Sequence, residues 1–356
     1  MTGKHALHIG IAGAGLAGRA LAWRLARAGC RVSLFDARQR GDLNTASQTA
    51  AAMLSPLAEL AASSDAVFEW GQRSMQLWPT WIAELNAVGG KDIYFRQDGT
   101  LVIAHKQDQA SLEHFTRLLQ HKLPDACRAQ VHTLDAAGLA QYEPLLAGRF
   151  DGGLYLEGEG QLANDQLLAA LASEMDRLGV QWHEGQAVDR IEAHSMVCAG
   201  QSHSVDMAVD ARGMGSKSAL PPTHRLRGVR GEVLRVECAG VSLQRPVRLM
   251  HPRYQLYVAP RPGNQFVVGA TELESEDAGP VTVRSVLELA SALHSLHPAF
   301  GEARVLRMSA ALRPALDDHR PAIARLEGVW HINGLYRHGY LCAPALVDDL
   351  MHKLLA

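Results

Sequence analysis

A glycine-rich turn near the start of the chain restricts the fold more than any other segment. Leu7 to Ala12 reads as a short apolar strand, and Leu16 to Ala28 reads as a helix rich in Ala, Leu and Arg. The junction, Gly13 to Gly18, has glycines at its first, third and sixth positions. A strand, such a turn and a helix form the unit that binds a dinucleotide pyrophosphate, because the free amides of the helix N-terminus face its negative charge.

The three glycines have separate predicted roles. Gly13 permits the tight turn, Gly15 lets the backbone approach the pyrophosphate, and Gly18 lets the helix pack closely on the strand. A second strand, Arg31 to Phe35, is followed by Asp36, near the spacing of about 20 residues at which an acidic residue accepts hydrogen bonds from the adenosine ribose. NAD and FAD use the same turn, so the motif alone leaves the cofactor open.

Composition excludes several classes of protein. The 356 residues are 47% hydrophobic and 20% charged with a net charge of -2, which indicates a soluble protein with a large core and two domains. The interspersed charges predict neither a nucleic acid nor an anionic membrane surface as partner. No apolar stretch approaches the roughly 20 residues that cross a bilayer, and glycines interrupt the apolar N-terminus, which argues against a secretion signal.

The five cysteines include no Cys-x-x-Cys pair and are odd in number. Reduced thiols in the cytoplasm fit this pattern best. The sequence predicts no metal site, because the 17 histidines are scattered and no His-Glu-x-x-His pattern occurs. The oligomeric state stays open, with a homo-oligomer among the alternatives.

Helix-like segments alternate with short Val-rich strands, which favours an α/β architecture. The apolar spacing in Asp65 to Val88 suits helices with one buried stripe. Strand-like runs in Asp92 to His105 and in Leu226 to Thr271 predict an antiparallel sheet over the cofactor. Those in the second segment include Gly231 to Val236, Gln255 to Ala259 and Gln265 to Ala270.

Two later stretches, Val188 to Ile191 and Val205 to Ala211, read as strands of the nucleotide-binding domain. The chain therefore leaves that domain and returns to it. We expect a cofactor-binding domain from about 1–85, 150–220 and 312–356, and a substrate-binding domain from about 86–149 and 221–311. A simple tandem of two domains remains an alternative.

A second glycine-punctuated segment, Gly334 to Gly339, lies near the C-terminus. It reads as a strand-to-helix turn that meets the flavin ring. Pro344 suits the first turn of a helix that runs through Leu355, since proline lacks an amide that this position does not need. The start of that helix carries partial positive charge, which could stabilise an anionic reduced flavin.

Five motifs, taken in order along the chain, resemble the glycine oxidase branch of the D-amino-acid oxidase family of FAD-dependent amine oxidases. The resemblance runs nearly end to end, and its pieces besides the N-terminal turn are Thr49 to Leu54, Val267 to Thr271, Ala311 to Pro314, and Gly334 to Gly339 followed by Ala343 to Ala345. It implies a Rossmann-like FAD-binding domain and an α+β substrate domain built on an antiparallel sheet.

The resemblance also implies the substrate-binding residues. Arg313 matches the arginine that holds the substrate carboxylate, which a guanidinium binds with two parallel hydrogen bonds. Tyr257 matches the tyrosine that bonds the same carboxylate, and Tyr254 is a nearby competitor. Arg337 is expected to line the site or hold the loop.

A larger set is implied for FAD. It comprises Gly13, Gly15, Leu16, Ala17, Gly18, Asp36, Ala37, Arg38, Ala52, Met53, Val188, Gly213, Gly334, Tyr336, Arg337, His338, Gly339, Tyr340 and Leu341. The covalent branches attach the flavin through a cysteine in the region where this chain has Ser309 and Ala310, so FAD is expected to bind noncovalently. Cys342 reads as a packing residue.

Three positions depart from the family pattern. Ala52 stands where the family often has glycine, and His338 stands where asparagine is common, so its side chain receives no role. Glu272 stands where better-known glycine oxidases have an apolar residue. Its carboxylate either faces the pocket, where it could pair with the substrate ammonium or favour another amine, or faces solvent.

The implied reaction is transfer of a hydride from the α-carbon of glycine, or of another small amine or D-amino acid, to flavin N5. The product is an imine, which water converts to glyoxylate or another 2-oxo acid and ammonia, while oxygen becomes hydrogen peroxide. In the thiamine pathway the glycine imine supplies the thiazole ring, so a thiazole synthase is the implied recipient. Three alternatives stay open: a D-amino-acid dehydrogenase that passes electrons to a quinone, an FAD-dependent tRNA-modifying enzyme, and a flavin-binding factor that acts on a protein substrate.

Overall fold

The computed structural model describes residues 6–89, 92–220, 225–251 and 255–356. The helices are α1 Leu16–Arg27, α2 Ala46–Thr49, α3 Pro56–Leu60, α4 Asp65–Gly89, α5 Gln109–Lys122, α6 Ala136–Tyr142, α7 Asn164–Arg177, α8 Val283–Leu296 and α9 Gly339–Leu355. The strands are β1 His8–Ala12, β2 Arg31–Asp36, β3 Met53–Leu54, β4 Phe95–Arg96, β5 Thr100–Ala104, β6 Val131–Asp135, β7 Gly152–Leu156, β8 Gly160–Leu162, β9 Gln181–Glu184, β10 Arg190–Glu192, β11 Ser195–Cys198, β12 Gln201–Ser204, β13 Met207–Asp210, β14 Leu226–Glu237, β15 Val247–Met250, β16 Gln255–Arg261, β17 Gln265–Gly269, β18 Arg304–Leu316, β19 Ala322–Leu326 and β20 Val329–Asn333.

A six-stranded sheet has the order β19-β20-β13-β1-β2-β9. Every neighbouring pair is parallel except β19 and β20. Helices α1, α7 and α9 pack together in its largest apolar core, as expected for a parallel sheet covered by helices. The strands come from both ends and the middle of the chain, so the chain leaves this sheet and returns to it.

The predicted strand at Val205 to Ala211 corresponds to β13 in this sheet. The stretch Val188 to Ile191 behaves differently, because its strand begins at Arg190 and joins a separate antiparallel sheet of β10, β11 and β12. That small sheet contributes Met196 and Cys198 to an apolar cluster that also contains Ala12 of β1. A hydrophobic run alone does not distinguish a central strand from a strand in a covering layer.

An eight-stranded sheet has the order β18-β14-β17-β16-β15-β5-β7-β6. The predicted antiparallel arrangement holds for every neighbouring pair except β5 and β15, which run parallel. These two strands are far apart in sequence, so no hairpin fixes their direction, and the antiparallel prediction is wrong at this pair.

The segment from Asp65 to Val88 forms one helix, α4, rather than several. Its buried face carries Trp78 and Trp81, which meet edge to face at 5.7 Å between ring centroids. Trp81 makes a second such contact with Trp23 of α1 at 5.3 Å. These aromatic side chains are core residues, as predicted.

The last helix begins earlier than predicted. It starts at Gly339, so Pro344 lies in its interior rather than in its first turn. Proline cannot donate to the carbonyl four residues earlier, that of Tyr340. The indole of Trp78 donates to that carbonyl at 3.1 Å, and the amide of Ala345 donates to the Ser74 hydroxyl at 3.1 Å. Helix α4 therefore supplies partners for the backbone groups that the proline disturbs.

No helix in the described part of the chain is both long and apolar enough to cross a bilayer. The division into two domains at the stated boundaries remains our proposal. The sheets show only which segments pair.

The contact between Trp78 and Tyr340 can be tested with a double-mutant cycle. Trp78→Phe should lower the free energy of unfolding by about 2–4 kcal/mol, because the Tyr340 carbonyl loses its partner in a buried place and packing is lost as well. In a Pro344→Ala background the residue at 344 regains an amide that can bond that carbonyl, so the same change should cost at least about 1 kcal/mol less. Urea unfolding of the four proteins measures the coupling, and equal costs in both backgrounds would show that the indole hydrogen bond is unimportant.

Candidate active site

A cavity of about 1350 Å³ lies where the carboxyl ends of β1, β2 and β13 meet the eight-stranded sheet. Open parallel sheets bind ligands at this end of their strands. Its other walls come from residues 44–53, residues 310–314 and the turn before α9. The cavity is therefore continuous from the N-terminal glycine turn to the proposed substrate residues.

The glycine turn has the geometry that a pyrophosphate needs. Gly13 has φ +101°, and a Cβ there would lie 2.5 Å from the Ala211 carbonyl oxygen. A Cβ at Gly18 would lie 1.8 Å from the Gly13 oxygen, so this glycine allows helix and strand to touch. At Gly15 a Cβ would meet nothing within 4 Å, and this residue lines the cavity. The open space beside Gly15 and the start of α1 fits a pyrophosphate held by backbone amides.

Asp36 lies at the end of β2 and faces this turn. Its carboxylate accepts hydrogen bonds from the amide of Ala14 at 2.6 Å and the amide of Arg38 at 2.8 Å. These two bonds fix the side chain at the cavity wall. Carboxylate oxygens have further lone pairs, so the fixed group can still accept hydrogen bonds from ribose hydroxyls.

The predicted FAD residues lie at the cavity wall with two exceptions, Gly18 and Gly334. Gly18 serves helix packing, as described above. Gly334 has φ +72°, and a Cβ there would lie 2.7 Å from the Leu316 side chain. This glycine allows the strand to turn against neighbouring protein instead of opening the backbone to the cavity. Of the predicted substrate residues, Arg313, Tyr257 and Arg337 all line the cavity, whereas Tyr254 lies outside the described residues.

The flavin-motif residue Ala52 also lines the cavity and has φ +52°. This is the left-handed region that glycine adopts most easily. The preceding carbonyl, that of Ala51, accepts a hydrogen bond from Arg261, whose guanidinium also donates to Gln161. Burial lowers the pKa of Arg261 to about 10. This buried arginine, which the sequence did not single out, holds the segment that carries Ala52.

Arg313 extends from β18 into the space left by a glycine on the neighbouring strand. A Cβ at Gly231 of β14 would lie 2.3 Å from the guanidinium carbon of Arg313. One nitrogen, Nη1, donates to the Thr271 carbonyl at 3.0 Å. Within the described part of the chain, no carboxylate lies within ion-pair distance of this guanidinium.

Tyr257 on β16 stands in register with Arg248 on β15 and with Gly269 on β17. Burial raises the pKa of the Tyr257 phenol, although the charges of Arg313 and Arg248 oppose this rise. The hydroxyl therefore stays protonated near neutral pH and can donate a hydrogen bond. Arg248 also lines the cavity and was not predicted.

A buried carboxylate, Glu59 of α3, joins three basic side chains. Its Oε1 lies 3.2 Å from Arg248 Nη2, and its Oε2 lies 3.0 Å from Arg337 Nε and 3.4 Å from His338 Nδ1. Burial alone would raise the pKa of Glu59, but the nearby charges, Arg337 first and Arg248 next, bring it down to about 2. Burial lowers the pKa of His338 to about 4, so that imidazole is neutral at pH 7.

Glu272 lies at the cavity wall with 44% of its side chain accessible, so its carboxylate meets both the pocket and solvent. Its Oε1 accepts a hydrogen bond from the Tyr336 hydroxyl, and its Oε2 lies 2.9 Å from Arg337 Nη1. Burial tends to raise the pKa of Glu272, but the Arg337 charge and the Tyr336 hydrogen bond leave it below its usual range. Arg337 is therefore shared between two carboxylates, Glu59 and Glu272.

A second buried carboxyl group, that of Glu159, forms a hydrogen bond with the first turn of α3. Oε1 of Glu159 accepts a hydrogen bond at 2.7 Å from the amide of Ala58, in the first turn of that helix. Burial raises the pKa of Glu159 to about 7, although the charge of Arg248 opposes the rise. The helix that carries Glu59 therefore forms a hydrogen bond with a carboxyl group whose pKa is near neutral pH.

None of the five cysteines lines the described cavity wall. All five cysteines are described and none forms a disulfide. Cys342 is buried, with its sulfur 3.7 Å from the Val67 carbonyl oxygen, as expected of a packing residue. Over the described ranges, no group of three or more His, Cys, Asp or Glu side chains is arranged to hold a metal ion.

The second and third glycines of the turn, Gly15 and Gly18, allow a matched test of cofactor binding. Gly15→Ala adds a methyl group to the open wall, so the apoprotein should keep its stability while FAD affinity falls by at least about tenfold. Gly18→Ala places the same methyl group against backbone, so the apoprotein should lose about 2 kcal/mol or more of unfolding free energy. Thermal unfolding without FAD and titration with FAD separate the two effects. Equal FAD affinity for wild type and a folded Gly15→Ala protein would contradict the assignment.

Glu159 predicts a distinctive pH dependence. Its pKa is about 7 in the folded protein and about 4.3 in an unfolded chain. The unfolded state therefore releases the proton first, and stability is lost as pH rises from about 4.3 through 7, by up to about 3 kcal/mol. Glu159→Gln should match wild type at about pH 4, below the unfolded pKa, and be more stable at about pH 8, as measured by urea unfolding at both pH values. A constant difference between the two proteins across this range would show that folding does not raise the pKa of Glu159.

Comparisons with known proteins agree with this geometry. The family described as DAO, FAD dependent oxidoreductase, matches residues 8–350. A Rhizobium etli protein provisionally named thiamine biosynthesis oxidoreductase ThiO is 38% identical over 350 residues, which cover 98% of this chain and 97% of that protein. The bifunctional protein ThiO/ThiG of Trichormus variabilis is 25% identical over 357 residues, covering 96% of this chain and 52% of that protein.

The crystal structure of glycine oxidase from Geobacillus kaustophilus superposes with a TM-score of 0.84 at 25% identity, covering 98% of this chain and 94% of that one. The family match spans nearly all of the sequence, and the shared fold extends over both sheets. The chain therefore belongs to the FAD-dependent oxidoreductases of the DAO family.

Proposed function

We propose that this protein is an amine oxidase that acts on glycine or another small amine or D-amino acid with one carboxylate. The observation that carries the proposal is the pairing of charges at one end of the cavity. Arg248 and Arg337 are ion-paired with Glu59 and Glu272, whereas Arg313 makes no ion pair within the described residues. That end of the cavity therefore holds three guanidinium groups and two carboxylates, and a single substrate carboxylate completes the balance.

Arg313 and Tyr257 would hold this carboxylate. The guanidinium keeps donors besides the one that bonds Thr271, and an arginine can bind a carboxylate with two parallel hydrogen bonds. The protonated Tyr257 hydroxyl adds a neutral donor. Two fixed donors orient the amino acid and leave its amine and α-carbon to face the rest of the cavity.

The residues present fit FAD as the cofactor. The turn at Gly15 would hold the pyrophosphate, Asp36 would bond the ribose, and residues 336–341 would line the flavin end. When bound, FAD supplies a two-electron acceptor for the substrate hydride. No cysteine lies at the described cavity wall, which supports noncovalent binding.

No strong protein base faces the substrate end of the cavity, as far as the described residues reach. Neighbouring charges lower the pKa of Glu59 and of Glu272, and burial lowers that of His338 to about 4. Groups with such low pKa values are poor proton acceptors at neutral pH. This supports oxidation of a neutral amine by hydride loss. For glycine the balance is glycine plus oxygen plus water giving glyoxylate, ammonia and hydrogen peroxide.

We further propose that the enzyme works in thiamine thiazole biosynthesis in the cytoplasm and that its imine product passes to a thiazole synthase. The relatives named ThiO and ThiO/ThiG support this placement. A bifunctional chain brings the two activities together, which would limit loss of the imine to water.

The first test is anaerobic reduction of the FAD-loaded protein by glycine, sarcosine, D-alanine and D-proline, followed by air. Bleaching of the flavin band with rapid recovery in air is the result expected of an oxidase. Bleaching without recovery would indicate a dehydrogenase that uses a quinone. Retention of the band with all four compounds would contradict the proposed substrate class.

Arg313→Met tests the carboxylate site directly. The variant should lower kcat/KM by at least about 100-fold, or about 2.7 kcal/mol, chiefly through a higher KM, because a charged pair of hydrogen bonds is lost. Bound FAD should stay at one per chain. Arg307→Met, on the same strand but outside this cavity, serves as the matched control. Unchanged kinetics in a folded Arg313→Met protein would remove Arg313 from the site.

A further inference from the structure

Glu272 places a negative charge in the part of the cavity where an anionic substrate is expected. It belongs to the loop after β17, lines the cavity and is partly exposed, with 44% of its side chain accessible. An ion pair of this exposure adds little to stability. Its main physical effect is to change the charge and the free hydrogen-bond donors that a substrate meets.

Both oxygens of Glu272 accept hydrogen bonds from donors that could otherwise bind a substrate carboxylate. One accepts from the Tyr336 hydroxyl, and the other lies 2.9 Å from Arg337 Nη1. A phenol and a guanidinium that converge on one carboxylate would bind a substrate carboxylate equally well. The Glu272 side chain therefore occupies the anion-binding site that Tyr336 and Arg337 form.

The other ion-pair partner of Arg337, Glu59, does not fully neutralise its positive charge. Glu59 lies 3.0 Å from Arg337 Nε, but it also serves Arg248 and contacts His338. One carboxylate shared between two guanidinium groups leaves a net positive charge. Without Glu272, this end of the cavity would hold three arginines and one glutamate, which matches a substrate with two carboxylates.

We propose that Glu272 restricts this enzyme to substrates with a single carboxylate, by occupying Tyr336 and Arg337 and by repelling a second anionic group. The inference rests on the proposed oxidase function, since it assigns the substrate class of the same site. A substrate with two carboxylates would bind Arg313 with one and meet the Glu272 carboxylate with the other. Glycine or D-alanine meets no such repulsion.

Ligand binding to the FAD-loaded protein tests the proposal without turnover. Acetate carries one carboxylate and malonate carries two, and both can be titrated by the change they cause in the flavin absorption spectrum. Wild type should bind acetate more tightly than malonate. Glu272→Gln should improve malonate affinity by about tenfold, because like-charge repulsion becomes attraction at close range, while acetate affinity stays within about twofold.

Three further proteins sharpen the test. Glu274→Gln removes a carboxylate two residues away that pairs with Arg227 and does not line the cavity, so it should leave both affinities unchanged. Adding Arg337→Met to Glu272→Gln should abolish the gain for malonate. Glu272→Ala should show the same gain as Glu272→Gln. The ratio of kcat/KM for iminodiacetate to that for glycine should rise with malonate affinity.

The outcomes are distinct. Equal binding of acetate and malonate by wild type would overturn the proposal whether or not any variant folds. An unchanged ratio of the two affinities in Glu272→Gln would overturn it as well, and a gain that survives Arg337→Met would show that Arg337 is not the cation involved. If neither acetate nor any amine acts on the wild-type flavin, the proposed function itself fails. Reduction by glycine together with equal acetate and malonate binding overturns only the role of Glu272.

Discussion

The proposed substrate end of the cavity depends on the ion pairs of the Glu59 carboxylate with Arg248 and Arg337. It lies on the short helix α3, yet its partners come from β15 of the eight-stranded sheet and from the turn before α9. Taking a carboxylate out of water is costly unless its oxygens are fully paired. Here Oε1 accepts a hydrogen bond from Arg248, whereas Oε2 lies within ion-pair distance of Arg337 but accepts no hydrogen bond from the described residues. The charges of the two arginines bring the pKa of Glu59 down to about 2. One charge thereby links β15 of the eight-stranded sheet to the turn before α9, where the substrate is expected to bind.

The turn that carries Arg337 also depends on the packing of α9 against α4. Helix α9 starts at the turn that carries Arg337, and its irregular backbone near Pro344 is completed by Trp78 and Ser74 of α4. The α4 and α9 helices share one apolar core with α1. Because the core is closely packed, a shift of α4 would be transmitted to α9 and from there to the turn. The geometry of Arg337 is therefore set by residues far from the cavity as well as by its own ion pairs.

The sequence indicated the residues at the proposed cofactor end of the cavity more fully than those at the proposed substrate end, where it missed Glu59 and Arg248. The turn at Gly13 to Gly18 could be recognised because glycine chemistry and an adjacent strand and helix are local features. Glu59 and Arg248 left no comparable signal, since a single glutamate in a five-residue helix and a single arginine in a four-residue strand look like ordinary polar residues. Their importance arises only when sheet register brings them together. The start of α9 was misjudged for a related reason, because the partners that tolerate an interior Pro344 lie about 270 residues away.

This difference has a consequence for how the function can change. The proposed cofactor site relies on backbone amides and glycine conformation. A substitution there is expected to disturb the fold, as for Gly18→Ala, or only the binding of FAD, as for Gly15→Ala. The proposed substrate site relies on a few side chains whose charges nearly cancel, so a substitution there is expected to alter specificity while the backbone stays in place. Glu272 illustrates the point, since the family resemblance predicts an apolar residue at its position. The sheet, the turn and Arg313 remain, but one added carboxylate changes the net charge that a substrate must match.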